Sequence, residues 1–281
     1  MSAGFIDAKG AEHLFEELRD PAYKFDRADW WGLPKAVVVM LARQPHTATS
    51  DVTVSDLVGD LQQQILRKRH GGFVDPREEL WSVWGTGLHK ALETASEAGT
   101  AEVSYRWRSE RHGLLVGCRA DTIASEDGRF TISDWKTTSV YQAKQLPKGG
   151  GLGAKHRKWG AQLKLSAAVA HLSGGPTFHT GEIVVFCRDW RPREAQTQKD
   201  YPQDKIVVRS IQIDLGEAVA LLNQRLDAWV EALAKPDDEL PECEDTLAPM
   251  ADGRPSRCVL YCDMRQFCRQ FQYNYPQRST T

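Results

Sequence analysis

The sequence predicts a mixed α/β fold, a central mixed sheet flanked by helices, from three observations. Segments with apolar residues at helical spacing alternate with short segments rich in β-branched residues. Asp127-Gly128 is a strong two-residue turn signal between two of the predicted strands. The order along the chain is helices, several strands, a helix, more strands and a last helix, which is typical of a sheet covered by helices.

The composition is that of an ordinary globular protein. The chain has 281 residues, of which 41% are hydrophobic and 26% charged, enough for one large or two modest domains. No apolar run approaches the ~18–20 residues of a membrane span. The first residues mix acidic and polar side chains and do not resemble a signal peptide. We therefore expect a cytoplasmic protein without membrane contact.

The first 74 residues are predicted to form a helical segment packed on the core. Thr53 to Leu57 can cap a helix that ends at His70-Gly71-Gly72. Asp75-Pro76 is predicted to start the next helix, because Asp suits the N-cap and Pro the first helical position. That helix carries His89 beside its apolar stripe.

The remaining elements define a predicted core domain over residues 75–235, followed by a C-terminal segment over residues 236–281. Predicted strands cover Ala101–Arg108, Leu114–Ile123, Phe130–Trp135, Glu182–Cys187 and Lys205–Ile213, and predicted helices cover Lys158–Leu172 and Gly216–Lys235.

The hairpin around Asp127-Gly128 is predicted to bring three charged side chains together. Counting outward from the turn pairs Asp121 with Asp134, with Cβ atoms ~4.5–5.5 Å apart. Lys136 lies two residues beyond Asp134 and therefore shares its face. Two carboxylates this close repel unless a positive charge lies between them, and a hard divalent cation is the obvious candidate. A solvated face with an ordinary ion pair is the alternative interpretation.

The net charge of −2 hides a basic stretch. Between Trp135 and Gly181 there is no Asp or Glu, but there are seven Lys and Arg residues. Beside a cation site, such a stretch suits a polyanionic substrate. A solvated basic face is the simpler interpretation of a charge run on its own. The candidate DNA-binding residues are Lys144, Lys148, Lys155, Arg157 and Lys158.

Four of the six cysteines lie within 26 residues near the C-terminus: Cys243, Cys258, Cys262 and Cys268. In a chain expected to be cytoplasmic, this indicates a metal or iron–sulfur site and not disulfides. The spacing lacks the C-x2-C pairs of zinc ribbons, whereas a four-thiolate iron–sulfur cluster tolerates it. Unrelated buried thiols are the alternative.

These motifs together resemble the PD-(D/E)XK nuclease superfamily, specifically its RecB-like exonuclease branch. Gly85-Thr-Gly-Leu-His89 is similar to the helix motif with a metal-binding histidine. Gly117-Cys-Arg-Ala-Asp121 is similar to the second motif, with Ala120 in the place of the name-giving proline. Asp134-Trp-Lys136 is similar to the (D/E)xK motif. Gln162 is similar to the start of the QxxxY motif, whose tyrosine is replaced by Ser166.

The resemblance implies a restriction-endonuclease-like core that hydrolyses DNA phosphodiesters with Mg²⁺ or Mn²⁺. The implied metal ligands are His89, Asp121, Asp134 and the Trp135 carbonyl, and the implied catalytic residues are Asp121, Asp134, Lys136 and Gln162.

The C-terminal cysteines resemble the iron–sulfur clasp of CRISPR-associated and helicase-linked RecB-like nucleases. This resemblance implies a [4Fe–4S] cluster on Cys258, Cys262 and Cys268. Because no cysteine precedes Cys118, Cys243 is the expected fourth ligand, and Zn²⁺ is the alternative metal.

The resemblance also implies a biological setting. It suggests an exonuclease acting on linear duplex ends or single strands in phage or bacterial recombination, repair or end processing, beside a strand-annealing or recombination protein. A homo-oligomer is compatible with it. The alternatives are a catalytically inactive DNA-binding scaffold with the nuclease fold and a restriction-type endonuclease.

Overall fold

The structure, a computed structural model, describes most of the chain, namely residues 4–42, 50–71, 73–77, 79–97, 99–147, 151–153, 156–243, 250, 255–260 and 262–274. The chain divides into two compact units. We call residues 48–58 and 84–227 the sheet unit, and residues 1–47, 59–83 and 228–281 the terminal unit. Each unit is described by itself.

The described elements follow in chain order. They are β1 (Gly4–Ile6), β2 (Glu12–Leu14), α1 (Phe15–Arg19), α2 (Lys35–Ala42), β3 (Val52–Thr53), α3 (Val54–Val58), α4 (Leu61–His70), β4 (Phe73–Val74), α5 (Leu80–Ala95), β5 (Ala101–Ser109), β6 (Leu114–Glu126), β7 (Arg129–Thr138), α6 (Val140–Ala143), α7 (Arg157–Leu172), β8 (Phe178–Cys187), α8 (Pro192–Thr197), β9 (Ile206–Gln212), α9 (Leu215–Ala234), α10 (Ser256–Leu260) and α11 (Arg269–Asn274). Short 3₁₀ helices cover Arg27–Trp30, Asp237–Glu239 and Arg265–Phe267.

The sheet unit is built on a six-stranded mixed sheet. Its order is β3-β6-β7-β8-β9, and β5 pairs with β6. The β6–β7 and β8–β9 pairs are antiparallel, whereas β7–β8 and β3–β6 are parallel. Helix α7 packs against four of these strands and buries Leu163, Ala167 and Ala170 completely or almost completely, as their helical spacing predicts. The predicted mixed α/β class is confirmed.

The turn that the sequence predicts at Asp127-Gly128 is present. Both residues have positive φ, 49° for Asp127 and 74° for Gly128, as a type I′ turn requires. Glu126 pairs with Arg129, and the ladder continues in the predicted register to Thr122 opposite Ser133. The face of each side chain near the turn therefore follows from the sequence.

The terminal unit contains a small three-stranded sheet in the order β2-β1-β4. A buried apolar cluster lies beside it: Phe5, Leu18, Trp30, Val38, Leu41, Ala42 and Val74. The prediction that residues 1–74 are helical is wrong for these strands. Strands of two or three residues are too short to show an alternating pattern, so they could not be predicted from periodicity.

Two predicted helix boundaries also differ from the structure. The helix predicted from Thr53 to His70 is interrupted at Gly59-Asp60, which separate α3 from α4. The helix predicted from Asp75 begins only at Leu80, and Asp75 instead accepts a hydrogen bond from the main-chain N–H of Arg77.

Among the described residues, no helix combines the length and the apolar character that a membrane crossing requires. The division into residues 1–74, 75–235 and 236–281 stays a prediction.

Candidate active site

The hairpin of β6 and β7 opens where its two predicted carboxylates lie. The ladder ends at Thr122 and Ser133, so Asp121 and Asp134 occupy the next position. There the main-chain N–H of Trp135 donates to Asp121 Oδ2 at 2.6 Å, so a side chain satisfies this donor. Asp121 and Asp134 are buried, with 7% and 8% of their surface exposed. Two acidic side chains therefore meet in a region of low exposure.

Lys136 and Gln162 hold one of these carboxylates, Asp134. Lys136 Nζ donates to Asp134 Oδ1 at 3.0 Å and to Gln162 Oε1 at 3.1 Å. Gln162 Nε2 donates to the same Asp134 oxygen at 2.9 Å. Asp134 Oδ2 lies 2.8 Å from Lys136 Nζ, but no described residue gives it a hydrogen bond of acceptable geometry. The structure thus places Lys136 beside Asp134, as the hairpin register predicted, and brings Gln162 of α7 to the same carboxylate.

His89, on α5, contacts the same part of the hairpin. Its Nε2 lies 3.2 Å from the carbonyl oxygen of Trp135, and the two rings meet edge to face at 5.5 Å. Its Nδ1 lies 3.5 Å from Asp121 Oδ1. Gly85, one turn earlier on α5, brings the helix close to β7, because an added Cβ would lie 3.3 Å from Thr137 Oγ1.

Glu102, on β5, is a site residue that the sequence analysis missed. Its Oε1 lies 3.5 Å from His89 Nδ1, and its Oε2 forms an ion pair of 2.6 Å with Arg119 Nε. His89, Glu102 and Asp121 offer one nitrogen and two oxygens that all lie within 4.8 Å of one another. The position of Glu102 beside Asp121 depends on the register of β5 against β6. The sequence alone does not determine that register.

Burial changes the protonation of both aspartates. Loss of solvation and, to a smaller extent, the charge of the nearby Asp134 raise the pKa of Asp121 from 3.8 to about 6. The Trp135 N–H, His89 and Lys136 oppose this increase. Burial also raises the pKa of Asp134, and the Lys136 ammonium offsets only part of that effect. Two buried carboxylates with raised pKa values favour a bound cation, because a cation stabilises their ionised forms.

The predicted ligand set is divided between two groups in the structure. His89 and Asp121 cluster with Glu102, whereas Asp134 is engaged by Lys136 and Gln162. The donor types, carboxylate oxygens and one imidazole nitrogen, suit Mg²⁺ or Mn²⁺. The residues present therefore fit a divalent cation beside the opened hairpin.

The candidate DNA-binding residues are only partly described. Lys144 is exposed directly after α6, and Arg157 and Lys158 occupy the first turn of α7. Lys148 and Lys155 lie outside the described residues.

The motifs along the chain and their arrangement in space match one superfamily. The family model of the PD-(D/E)XK nuclease superfamily matches residues 55–269. The chain belongs to this superfamily. Its members are hydrolytic nucleases that generally use divalent metals, and the predicted restriction-endonuclease-like core is confirmed. The superfamily match covers β5 to β9 and all six residues of the site described above.

Solved structures with the superfamily fold are similar to this chain at low identity. The protein SSO0001 is 17% identical, with a TM-score of 0.42 over 69% of this chain and 82% of that protein. An alkaline exonuclease from Laribacter hongkongensis is 13% identical, with a TM-score of 0.36 over 65% of this chain and 90% of that enzyme. At these values the likeness says nothing about substrate. Curated protein sequences contain no match.

The four C-terminal cysteines line one cavity of the terminal unit. This cavity has a volume of about 130 Å³ and is bordered by Cys243, Cys258, Cys262 and Cys268. The thiols of Cys243 and Cys268 both lie 3.4 Å from Gln62 Oε1. Burial raises the pKa of Cys243 to about 12. Among the described residues, no three of these sulfur atoms lie within 4.8 Å of one another.

Proposed function

We propose that this protein is a Mg²⁺- or Mn²⁺-dependent deoxyribonuclease that hydrolyses phosphodiester bonds at DNA ends. The observation that carries the proposal is the position of Lys136 Nζ. It contacts Asp134 on the same strand, β7, and Gln162 on α7, and Asp121 and His89 lie at the opening of the hairpin. An ammonium beside a cation-binding carboxylate pair is suited to stabilising charge that builds on a phosphate.

The proposed role of the acidic side chains and His89 is to hold the cation. Asp121 and His89 contribute side-chain ligands, and Asp134 and the Trp135 carbonyl complete the set that the sequence predicted. When bound, the cation supplies Lewis acidity and lowers the pKa of a water molecule. The Trp135 N–H fixes Asp121 Oδ2, so the carboxylate is oriented before a cation arrives.

Lys136 and Gln162 are proposed to act on the substrate side of the reaction. Lys136 orients the attacking water and stabilises negative charge on the phosphate oxygens. Gln162 accepts from Lys136 and donates to Asp134, so it fixes the direction of both side chains. An amide suits this position because it donates and accepts at once.

Basic side chains are proposed to bind the DNA backbone. Lys144, Arg157 and Lys158 are the described members of the set, which also includes Lys148 and Lys155. Contacts of this kind hold phosphates without reading sequence, and they make binding depend on salt.

The deciding experiment uses end-labelled linear duplex, linear single-stranded DNA and covalently closed circular DNA, each with Mg²⁺, Mn²⁺ or EDTA. The proposal predicts cation-dependent release of nucleotides from linear DNA and a resistant circle. Cleavage of the circle would support the restriction-type endonuclease. Binding without cleavage of any substrate would support the inactive scaffold.

The biological setting that we propose is phage or bacterial recombination, repair or end processing. In that setting a strand-annealing or recombination protein would take over the product of end resection. Co-purification of such a protein with the tagged full-length chain tests the proposal.

We further propose that the four C-terminal cysteines bind a [4Fe–4S] cluster, with Zn²⁺ as the alternative. Four thiols around one cavity support a metal group. The spacing of the cysteines along the chain lacks the C-x2-C pairs of zinc ribbons, whereas a four-thiolate iron–sulfur cluster tolerates it.

A further inference from the structure

Glu102 occupies an exceptional position on strand β5. Its neighbours Ala101 and Val103 pair with Thr122 and Ala120, so Glu102 lies opposite Asp121 on β6. Its φ is +52°, a backbone conformation that residues other than glycine rarely adopt. This conformation interrupts the regular strand. The result is that two carboxylates on neighbouring strands approach the same imidazole.

One oxygen of Glu102 has a partner and the other does not. Oε2 is paired with Arg119, whereas Oε1 is fully buried and accepts no hydrogen bond from any described residue. Buried carboxylate oxygens are normally hydrogen-bonded, because an unpaired one loses its solvation without compensation. Oε1 is therefore a buried oxygen whose lost solvation a bound cation would compensate.

The imidazole of His89 supplies the third atom around that position. If Nε2 carries the proton and donates to the Trp135 carbonyl, Nδ1 of the neutral ring presents a lone pair. That lone pair then faces Glu102 Oε1 and Asp121 Oδ1, each at 3.5 Å. Adjacent ligands of Mg²⁺ lie about 3 Å apart at its bond lengths of about 2.1 Å, so a small contraction would bring these atoms onto one ion.

We propose that Glu102 is a direct ligand of the divalent cation, which it binds together with His89 Nδ1 and Asp121 Oδ1. This inference rests on the proposed cation-dependent function and adds a ligand to the set.

A different role for the same contacts is to orient His89. In that case Glu102 accepts a hydrogen bond from Nδ1–H and does not contact the cation, as is common for carboxylates beside metal-binding histidines. The two roles predict different effects of a glutamine in place of Glu102. Glutamine keeps an oxygen acceptor for Nδ1–H, but it lacks the negative charge of a ligand.

The test is a titration of the full chain with MnCl₂. Binding is measured by calorimetry and by the electron paramagnetic resonance signal of free Mn²⁺. Direct ligation predicts that Glu102→Gln and Glu102→Ala both weaken Mn²⁺ binding by about tenfold or more. The control Glu126→Gln removes an exposed carboxylate from the same sheet and should bind Mn²⁺ like the wild type.

Three results would overturn the inference. Wild-type affinity in Glu102→Gln, with a loss only in Glu102→Ala, would show an orienting role. Wild-type affinity in both variants would show no role. Absence of Mn²⁺ binding by the wild type would remove the cation of the proposed function as well. Circular dichroism of each variant confirms that the fold is retained, so a loss of binding is assigned to the ligand.

Discussion

At the scale of single residues, the site is defined by a small set of contacts among its charged side chains and Gln162. Lys136 is the ammonium that contacts Asp134, and Gln162 bridges the two. Asp121 is held by one main-chain N–H and approaches His89. Register counting from Asp127-Gly128 predicted this proximity, because a two-residue turn fixes every pair beyond it.

Glu102 shows what the sequence could not provide. Regular strand alternation starting from Ala101 says only which residues share a face, and Glu102 has a positive φ that no local residue pattern signals. The side chain reaches His89 through tertiary packing of α5, β5 and β6, which depends on contacts distant in sequence.

The raised pKa of Asp121 leads to a stability prediction. The pKa is 3.8 ordinarily and about 6 in the folded chain, so the folded state binds this proton more tightly than the unfolded state. Without a cation, stability should fall as pH rises from about 4 to about 6 and remain lower above that range, by on the order of 1–3 kcal/mol.

Asp121→Asn removes this cost. In EDTA at pH 8, its thermal midpoint should lie a few degrees above that of the wild type. The difference should shrink at pH 4 and reverse when Mn²⁺ is added, because only the wild type gains from binding. Equal midpoints of the two proteins at pH 8 and pH 4 would contradict the account of Asp121.

At the scale of elements, the hairpin turn is the feature that positions the chemistry. Helices α7 and α9 and strands β8 and β9 were predicted within a few residues, because their apolar periods are long and regular. The break between α3 and α4 and the strands of the terminal unit were missed. Those short elements are stabilised by packing and leave no periodic pattern.

Gly128→Ala should destabilise the sheet unit. An alanine at φ of +74° costs roughly 1–2 kcal/mol, because its Cβ crowds the main chain in the left-handed region. The matched control is Gly87→Ala on α5, where φ is not positive and no atom lies within 4 Å of the added Cβ. That substitution should stabilise the helix by up to about 1 kcal/mol.

Urea denaturation of both variants measures these effects. A Gly128→Ala variant as stable as the wild type would contradict the requirement for a type I′ turn at this position.

At the scale of the whole molecule, each unit contains one centre. The sheet unit carries the candidate active site, and the terminal unit carries the cysteine-lined cavity. Sequence spacing predicted that the cysteines belong together, but it could not predict Gln62 between two of the thiols. These contacts join residues that are 181 and 206 positions apart in the sequence.

Anaerobically purified protein should contain iron and acid-labile sulfide and show a broad visible absorption band. Because burial raises the pKa of Cys243 to about 12, metal binding must displace a thiol proton and should weaken as pH falls. Cys258→Ser should lose the band, whereas Cys187→Ser, which changes a buried thiol of β8, should retain it. A colourless, zinc-loaded wild type would reject the iron–sulfur proposal.

The most direct test of the central claim compares the wild type with Lys136→Met on end-labelled linear duplex DNA in Mg²⁺ and in Mn²⁺. We expect cation-dependent hydrolysis by the wild type, a loss of at least about a hundredfold in kcat for the variant, and unchanged DNA binding in Ca²⁺. Hydrolysis by Lys136→Met at the rate of the wild type, or equal hydrolysis by both proteins in EDTA, would contradict the claim that this hairpin is the active site.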